Sequence, residues 1–319
     1  MKLKLIYGIL LCALLIFSVG CGADNSSNNP ASSNDVATNS SDKNKVYLIS
    51  KEKLDIFWKD VDEGCKRRAT EIGNIDYHWI APDREDPVKQ AGFIDQAVAE
   101  GAKVILVAAS SADKLNESLE KADKAGVKIV YIDDSASYEA VASVMTDSNA
   151  AGKIAGENML KILQDAGIQS GTIGIVSDLA ESPNLHKRIA GFRSAFEGTP
   201  YDLSETFYAR PDTQAFKAEV ANHSDYVGFF SADLTSSFEL SEQIKALGTN
   251  PIIVAFDMSD AIADMMKNGV IAAAIQQNAK GMGMDAMDIA AKILDGTFTD
   301  KNVVKYTDVI VFTRADIEQ

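Results

Sequence analysis

Short, continuous apolar runs recur along this chain, and between them apolar residues return every three or four positions. In the first half the runs are VYLI (46–49), DYHWIAP (76–82), KVILVAA (103–109) and VKIVYID (127–133). Runs of this length with no polar face predict strands of a parallel sheet covered by helices on both sides. The intervening segments have helical spacing over 57–72 and 88–101, and again at Leu115, Leu119 and Ala122, with Gly101 and Gly126 placed to end their helices. The beat resumes with TIGIVSD (172–178), YVGFFSAD (226–233), PIIVAFD (251–257) and IAAAIQQ (271–277). Helices are expected near 150–166, 185–196, 215–221, 237–247, 261–267 and 281–296, and VVKYTDVIVFT closes the chain. A βα repeat sustained over both halves predicts an α/β protein of two open, doubly wound parallel sheets in tandem.

In open parallel sheets ligands bind outside the carboxyl ends of the strands. Here those ends read Ser50-Lys51, Ala108-Ala109, Asp133-Asp134, Asp178, Ala232-Asp233, Asp257 and Gln277-Asn278. Several separate strands therefore end in an acid or an amide, the groups that accept hydrogen bonds from a hydroxylated ligand. The competing reading is that each Asp caps the helix that follows.

The first 45 residues are of another kind. Lys2 and Lys4 precede an apolar run at 5–17, about 13 residues, which suits a secretory signal and falls short of a membrane span. Ser18-Val19-Gly20-Cys21 ends it with small residues, so Cys21 is the candidate lipid attachment site, with Ser18 departing from the usual Leu of a lipoprotein signal. An ordinary secretory signal cut near Gly20 is the alternative. Residues 25–45 are rich in Ser, Asn and Asp and almost free of apolar side chains, as expected of a flexible tether. The division is 1–20 signal peptide, 21–44 tether, then the folded part. A net charge of −15, made more negative by loss of Lys2 and Lys4, excludes nucleic acid and a membrane-hugging surface as partners. Cys12 lies in the leader and Cys21 at its end, which leaves Cys65 alone and the folded part without an internal disulfide.

From VYLISKEKLDIFWKDVDEGC onward the chain resembles the periplasmic binding proteins of ribose-binding type, the receptors of bacterial sugar ABC transporters. FWKDVDEGC, VKIVYIDDSA, MTDSNAAGKIAGENML, KRIAGFRSAF, IIVAFDMSD and AAIQQN carry the resemblance by their order and spacing. It implies the type I fold: two lobes joined by a three-segment hinge near 146–147, 277–278 and 306–308, with ligand trapped between them. The lobes would be 45–146 plus 278–306 and 147–277 plus 307–319. It implies no enzyme activity, no cofactor and no metal. The implied partners are a small sugar or polyol, an ABC permease and, through the lipid, the outer face of the cell membrane, for a protein expected to be a monomer.

The resemblance also implies site residues. Phe57 and Trp58 match an aromatic pair that packs on the apolar faces of a sugar ring, with core packing as the alternative. Asp133 and Asp257 match carboxylates that accept sugar hydroxyls, and Asp233 ends a neighbouring strand. Gln277 matches a hinge amide that also touches ligand. Lys51 and Asp55 match polar contacts of the first loop, or form an exposed pair. His186 stands where the ribose receptor has a binding arginine and Arg188 matches a second one, with a helix-surface role as the alternative for each. Ala108 and Ala232 replace binding asparagines and Asp134 replaces an arginine, which shifts the expected specificity from ribose toward another sugar, a cyclic polyol or a furanosyl signal such as autoinducer-2.

Two other classes are weighed. A sensory receptor that presents its loaded form to a chemoreceptor or kinase shares every feature above. A surface hydrolase would rest on Ser111-x-x-Lys114, but the same spacing recurs at Ser40 and Lys43 in the tether, and Ser111 reads better as a helix cap. His78, His186 and His223 stand far apart, and no Gly-x-Ser-x-Gly or His-Glu-x-x-His motif is present. A lac-repressor-like regulator would need a basic helix-turn-helix where this chain has its signal and tether.

Overall fold

Alternation within the apolar runs assigns their two faces. In β1 (Asn44–Ile49), Val46 and Leu48 point to one side and Tyr47 and Ile49 to the other, all fully or almost fully buried. Such a strand needs cover on both faces, and a computed structural model, which describes residues 44–318, provides it. The signal, Cys21 and the tether up to residue 43 lie outside the described residues, and the tether expected to reach 44 gives way to β1 at Asn44.

The first sheet contains β1, β2 (Ile75–Ile80), β3 (Val104–Val107), β4 (Lys128–Ile132), β5 (Ala142–Thr146) and β11 (Val303–Thr307), in the order β11-β5-β4-β3-β1-β2. The second contains β6 (Gly171–Ser177), β7 (Tyr201–Tyr208), β8 (Gly228–Ser231), β9 (Ile252–Phe256), β10 (Ala273–Gln277) and β12 (Val309–Thr313), in the order β12-β10-β9-β8-β6-β7. The two orders are the same pattern repeated. All pairings are parallel except β10 with β12. The closing run VVKYTDVIVFT is therefore two strands, one in each sheet, broken at Asp308. β5 and β7 were not anticipated. β5 alternates buried and half-buried positions, and β7 is an edge strand paired only with β6, so neither has the apolar run that marks the others.

Helices α1 (Ile56–Ile72) and α9 (Ala279–Leu294) cover one face of the first sheet, and α2 (Pro87–Ala99) and α3 (Asn116–Lys124) cover the other. On the second sheet, α4 (Ser148–Asp165) and α5 (Pro183–Ala195) lie on one face. Helices α6 (Thr213–Asn222), α7 (Leu234–Leu247) and α8 (Asp260–Lys267) lie on the other. Short polar side chains start these helices: Asp86 accepts from the Val88 and Lys89 N–H groups ahead of Pro87-initiated α2, and Asp147 does the same for Asn149 and Ala150 in α4. A last short helix, α10 (Arg314–Ile317), closes the chain.

The crossing pattern sets the relation between the sheets. After β5 the chain leaves the first sheet, and α4 packs against α5 on the second; after β10 it returns, and α9 packs against α1. It crosses a third time between β11 and β12. Both helix pairs are close-packed through glycine. A Cβ on Gly64 would overlap the Lys280 carbonyl, and one on Gly283 the Val61 carbonyl. Gly152 and Gly191 meet the carbonyls of Arg188 and Asn149 in the same way. Gly283 thus serves helix packing. Among the described residues no helix is long and apolar enough to cross a membrane.

Candidate functional site

Four of the seven strand ends that attract attention in the sequence, those at Lys51, Asp133, Asp257 and Gln277-Asn278, line one cleft. A cavity of about 580 Å³ is lined from the first sheet's side by Lys51, Glu52, Asp55, Phe57, Trp58, Glu85 and Asp133. Asp257, Met258, Leu234, Ile310 and Phe312 line it from the second, and Gln276 to Lys280 line it where the chain crosses. The volume falls in the ordinary range for small-molecule sites. Seven of the nine residues expected to bind ligand line it: Lys51, Asp55, Phe57, Trp58, Asp133, Asp257 and Gln277.

Asp133 and Asp257 are structural counterparts. Each directly follows the corresponding strand, β4 or β9, and each is left-handed, with φ of 62° and 64°. Each N–H is held by the next strand, Asp133 by the Val144 carbonyl at 2.9 Å and Asp257 by the Ile275 carbonyl at 2.8 Å. Neither caps a helix. A non-glycine residue rarely adopts this conformation, and Asp is among the few side chains that tolerate it. The turn aims both carboxylates into the cleft. Among the described residues the Asp133 carboxylate takes no hydrogen bond. That of Asp257 faces the Gln277 amide at 3.3 Å. Burial pushes the Asp133 carboxyl up to about 7; Asp134 and Asp257 add to the shift, and Lys51 and Arg188 oppose it. Burial also raises Asp257, against Arg188 and Gln277.

Lys51 forms an ion pair with Asp134. Burial alone would lower the Lys51 ammonium, but Asp134 and Asp133 together hold it above its usual value. Asp134, which stands where the resemblance expects arginine, also accepts from the Asn184 amide at 3.0 Å. Because Asn184 belongs to α5, this hydrogen bond spans the cleft from one sheet's helices to the other's. Asp55 caps α1 through the Phe57 N–H at 2.9 Å, so its cap and cavity positions coexist. Phe57 and Trp58 meet edge to face at 4.9 Å. Phe57 is half-buried, whereas Trp58 is 4% exposed and packs in the core with Val61 and Met282 while lining the cavity floor.

Two expected residues lie elsewhere. Asp233 accepts from the Ser236 N–H at 2.9 Å, the Asp178 N–H at 2.8 Å and the Ser236 hydroxyl at 2.8 Å, which makes it a cap for α7 and not a cavity wall. His186 lies on the exposed surface of α5, where its ring faces the Ala180 carbonyl at 2.5 Å, outside the cavity lining. Arg188 corrects the helix-surface alternative. Its side chain is 4% exposed, donates to the Ala232 carbonyl at 2.6 Å and lies 3.6 Å over the Phe256 ring. Burial lowers its pKa, opposed first by Asp257 and Asp133, so it sits behind the cavity as their counter-charge. Ser111 accepts from the Lys114 N–H at 3.3 Å in an exposed turn, away from the cleft.

Sequence reasoning passed over Gln90. Its side chain is fully buried in α2, donates to the Ser50 and Ala108 carbonyls at 3.1 and 2.7 Å, and accepts from Ser110. It ties together the ends of β1 and β3, from which the first binding loop departs. The signal was present: Gln90, Ile94 and Ala97 share one buried helical face.

Comparison with known proteins follows the same lines. A family model described as periplasmic binding protein domain matches residues 46–297. The ribose import binding protein of Haemophilus influenzae is 24% identical over 246 residues, 75% of this chain and 82% of its own length. The D-apiose import binding protein of Paraburkholderia graminis is 23% identical over 282 residues, covering 86% and 88%. Among solved structures, AraP, an arabinose binding protein from Geobacillus stearothermophilus, superposes with a TM-score of 0.78 at 20% identity, over 86% of this chain and 98% of its own.

Proposed function

The chain belongs to the periplasmic binding protein family, and from that premise we propose that it captures a sugar or sugar-like polyol outside the cytoplasm for an ABC importer. The observation that carries this reading is the pair of left-handed aspartates, Asp133 and Asp257, one from each sheet, aimed into a cavity with aromatic rings on its wall. Carboxylates accept hydroxyls in charge-assisted hydrogen bonds, and ring faces pack on sugar C–H groups. Lys51, Asp55, Phe57, Trp58, Asp133, Asp257 and Gln277 are the proposed contacts. The relatives' names, which include ribose, allose and apiose, support a sugar as the ligand class.

In this reading the two lobes are 45–146 with 278–306 and 147–277 with 307–319, hinged where the chain crosses three times. A ligand that touches both lobes only when they close shifts the hinge toward closure, and a permease reads the closed form. Lipidation at Cys21 would keep the receptor at the membrane's outer face. The test is calorimetric titration and thermal shift of the full-length chain with a panel of pentoses, hexoses and cyclic polyols. A ligand present at 100 times its Kd stabilises the native state by about 2.7 kcal/mol, which a melting curve resolves. A saturable shift with one of these compounds is expected, and its absence across the panel would remove the sugar assignment.

A further inference from the structure

The wall of the cavity carries more negative charge than a neutral sugar can use. Glu52, Glu85, Asp133 and Asp257 line it, and among the described residues none has a cation within ion-pair distance. The cations on the wall, Lys51 and Lys280, are already committed: Lys51 to Asp134, and Lys280 to Glu63 at 2.9 Å and Asp60 at 3.7 Å. Arg188 lies behind the wall, stacked on Phe256 and donating to a backbone carbonyl, and one guanidinium faces both Asp133 and Asp257.

A hydroxylated neutral ligand would satisfy hydrogen bonds here but leave Glu52 and Glu85 without a paired cation and Asp133 and Asp257 sharing the single guanidinium of Arg188 behind them, in a cleft where like charges repel more strongly as water leaves. An anionic ligand would add to it. A protonated amine offsets it, donates charge-assisted hydrogen bonds to carboxylates, and is attracted to the faces of Phe57 and Trp58. Burial, Asp55 and Glu85 raise the Glu52 carboxyl, and Arg84, which is not part of the wall, and Lys51 oppose the shift.

We propose that the physiological ligand is a polyhydroxylated molecule bearing one ammonium group, an amino sugar or amino polyol, with the ammonium on the side of the cavity formed by Glu52, Glu85 and Asp133. This deepens the sugar-binding reading and rests on the cleft being the ligand site.

The experiment titrates the full-length chain with matched sets that differ only in the charged group: D-glucosamine, D-glucose and N-acetyl-D-glucosamine, then D-galactosamine, D-galactose and N-acetyl-D-galactosamine. At pH 7 in low salt, at least one amine should bind ten or more times more tightly than both its neutral counterparts. That ratio should fall toward one in the Glu52→Gln, Glu85→Gln double variant and shrink as NaCl rises from 50 to 500 mM. If a neutral member binds as tightly as its amine, the inference is overturned while sugar binding stands. If no member of either set binds, and the neutral sugar panel also gives no shift, sugar binding fails and the inference falls with it.

Discussion

Replacing Asp133 with Asn should make the ligand-free protein more stable at pH 8 and blind it to its ligand. Burial holds this carboxyl near pH 7, against about 3.9 in an unfolded chain. Because the folded value is the higher one, the native state binds an extra proton between about pH 4 and pH 7. Stability conferred by the protonated form is therefore lost as pH rises through that window, and the loss is complete above it. At about 1.4 kcal/mol per pH unit the cost at pH 8 is at most on the order of 4 kcal/mol. Water in the cleft screens part of this, so a gain of about 1–3 kcal/mol is expected for the variant. Asn is the right substitution because it keeps the shape and accepts φ of 62°, where Ala would add strain. Melting of wild type and Asp133→Asn should be followed from pH 4.5 to 8.5 without ligand. The curves should meet near pH 4.5 and separate by several degrees at pH 8, the variant above. Ligand affinity of the variant should fall at least tenfold. Curves that stay parallel across the whole range would refute the argument that this carboxylate is held at a cost for binding.

Three further outcomes are expected. Phe57→Ala should weaken ligand binding about tenfold at little cost in stability, whereas Trp58→Ala should lower stability by about 3–5 kcal/mol because the indole is in the core; chemical denaturation alongside titration separates them. Gln90→Leu leaves the Ser50 and Ala108 carbonyls and Ser110 without their partner and should cost about 2–4 kcal/mol in urea unfolding, a loss that Gln90→Glu would not rescue, since a carboxylate cannot donate to those carbonyls. Asn184→Ala removes the hydrogen bond to Asp134 that spans the cleft, and the ligand-free protein should show a larger radius of gyration in solution scattering, with a ligand-bound value unchanged. An unaltered ligand-free radius would show that this contact does not hold the lobes.

The strands buried on both faces were legible because continuous apolar runs leave a parallel sheet as the economical reading. β5 and β7 escaped it for the same reason, since half-exposed strands carry polar residues. Strand ends located most of the cleft, but composition alone did not separate a capping aspartate from a ligand-facing one. Asp233 precedes a helix and caps it; Asp133 and Asp257 turn left-handed and do not. That distinction depends on backbone conformation, which a side-chain pattern does not encode. Arg188 was within reach. It shares the stripe of Leu185, Ile189 and Phe192 on α5, and a charged residue in an apolar stripe is either misplaced or paired indoors.

The exchange of α4 and α9 between the sheets bears on the order in which the chain can mature. The apolar face of α1, with Trp58, Val61 and Cys65, waits for Met282, Ala286 and Met287 from a helix that begins more than two hundred residues later. An N-terminal fragment released from the ribosome, or from a translocation channel, has its first four strands and still lacks a lid for them. Contacts so distant in sequence form slowly. For a chain exported before it condenses, as the proposed function expects, such delay is useful: about the last eighth of the chain carries the clasp, and the helical layer over that face of the first sheet stays incomplete until it arrives.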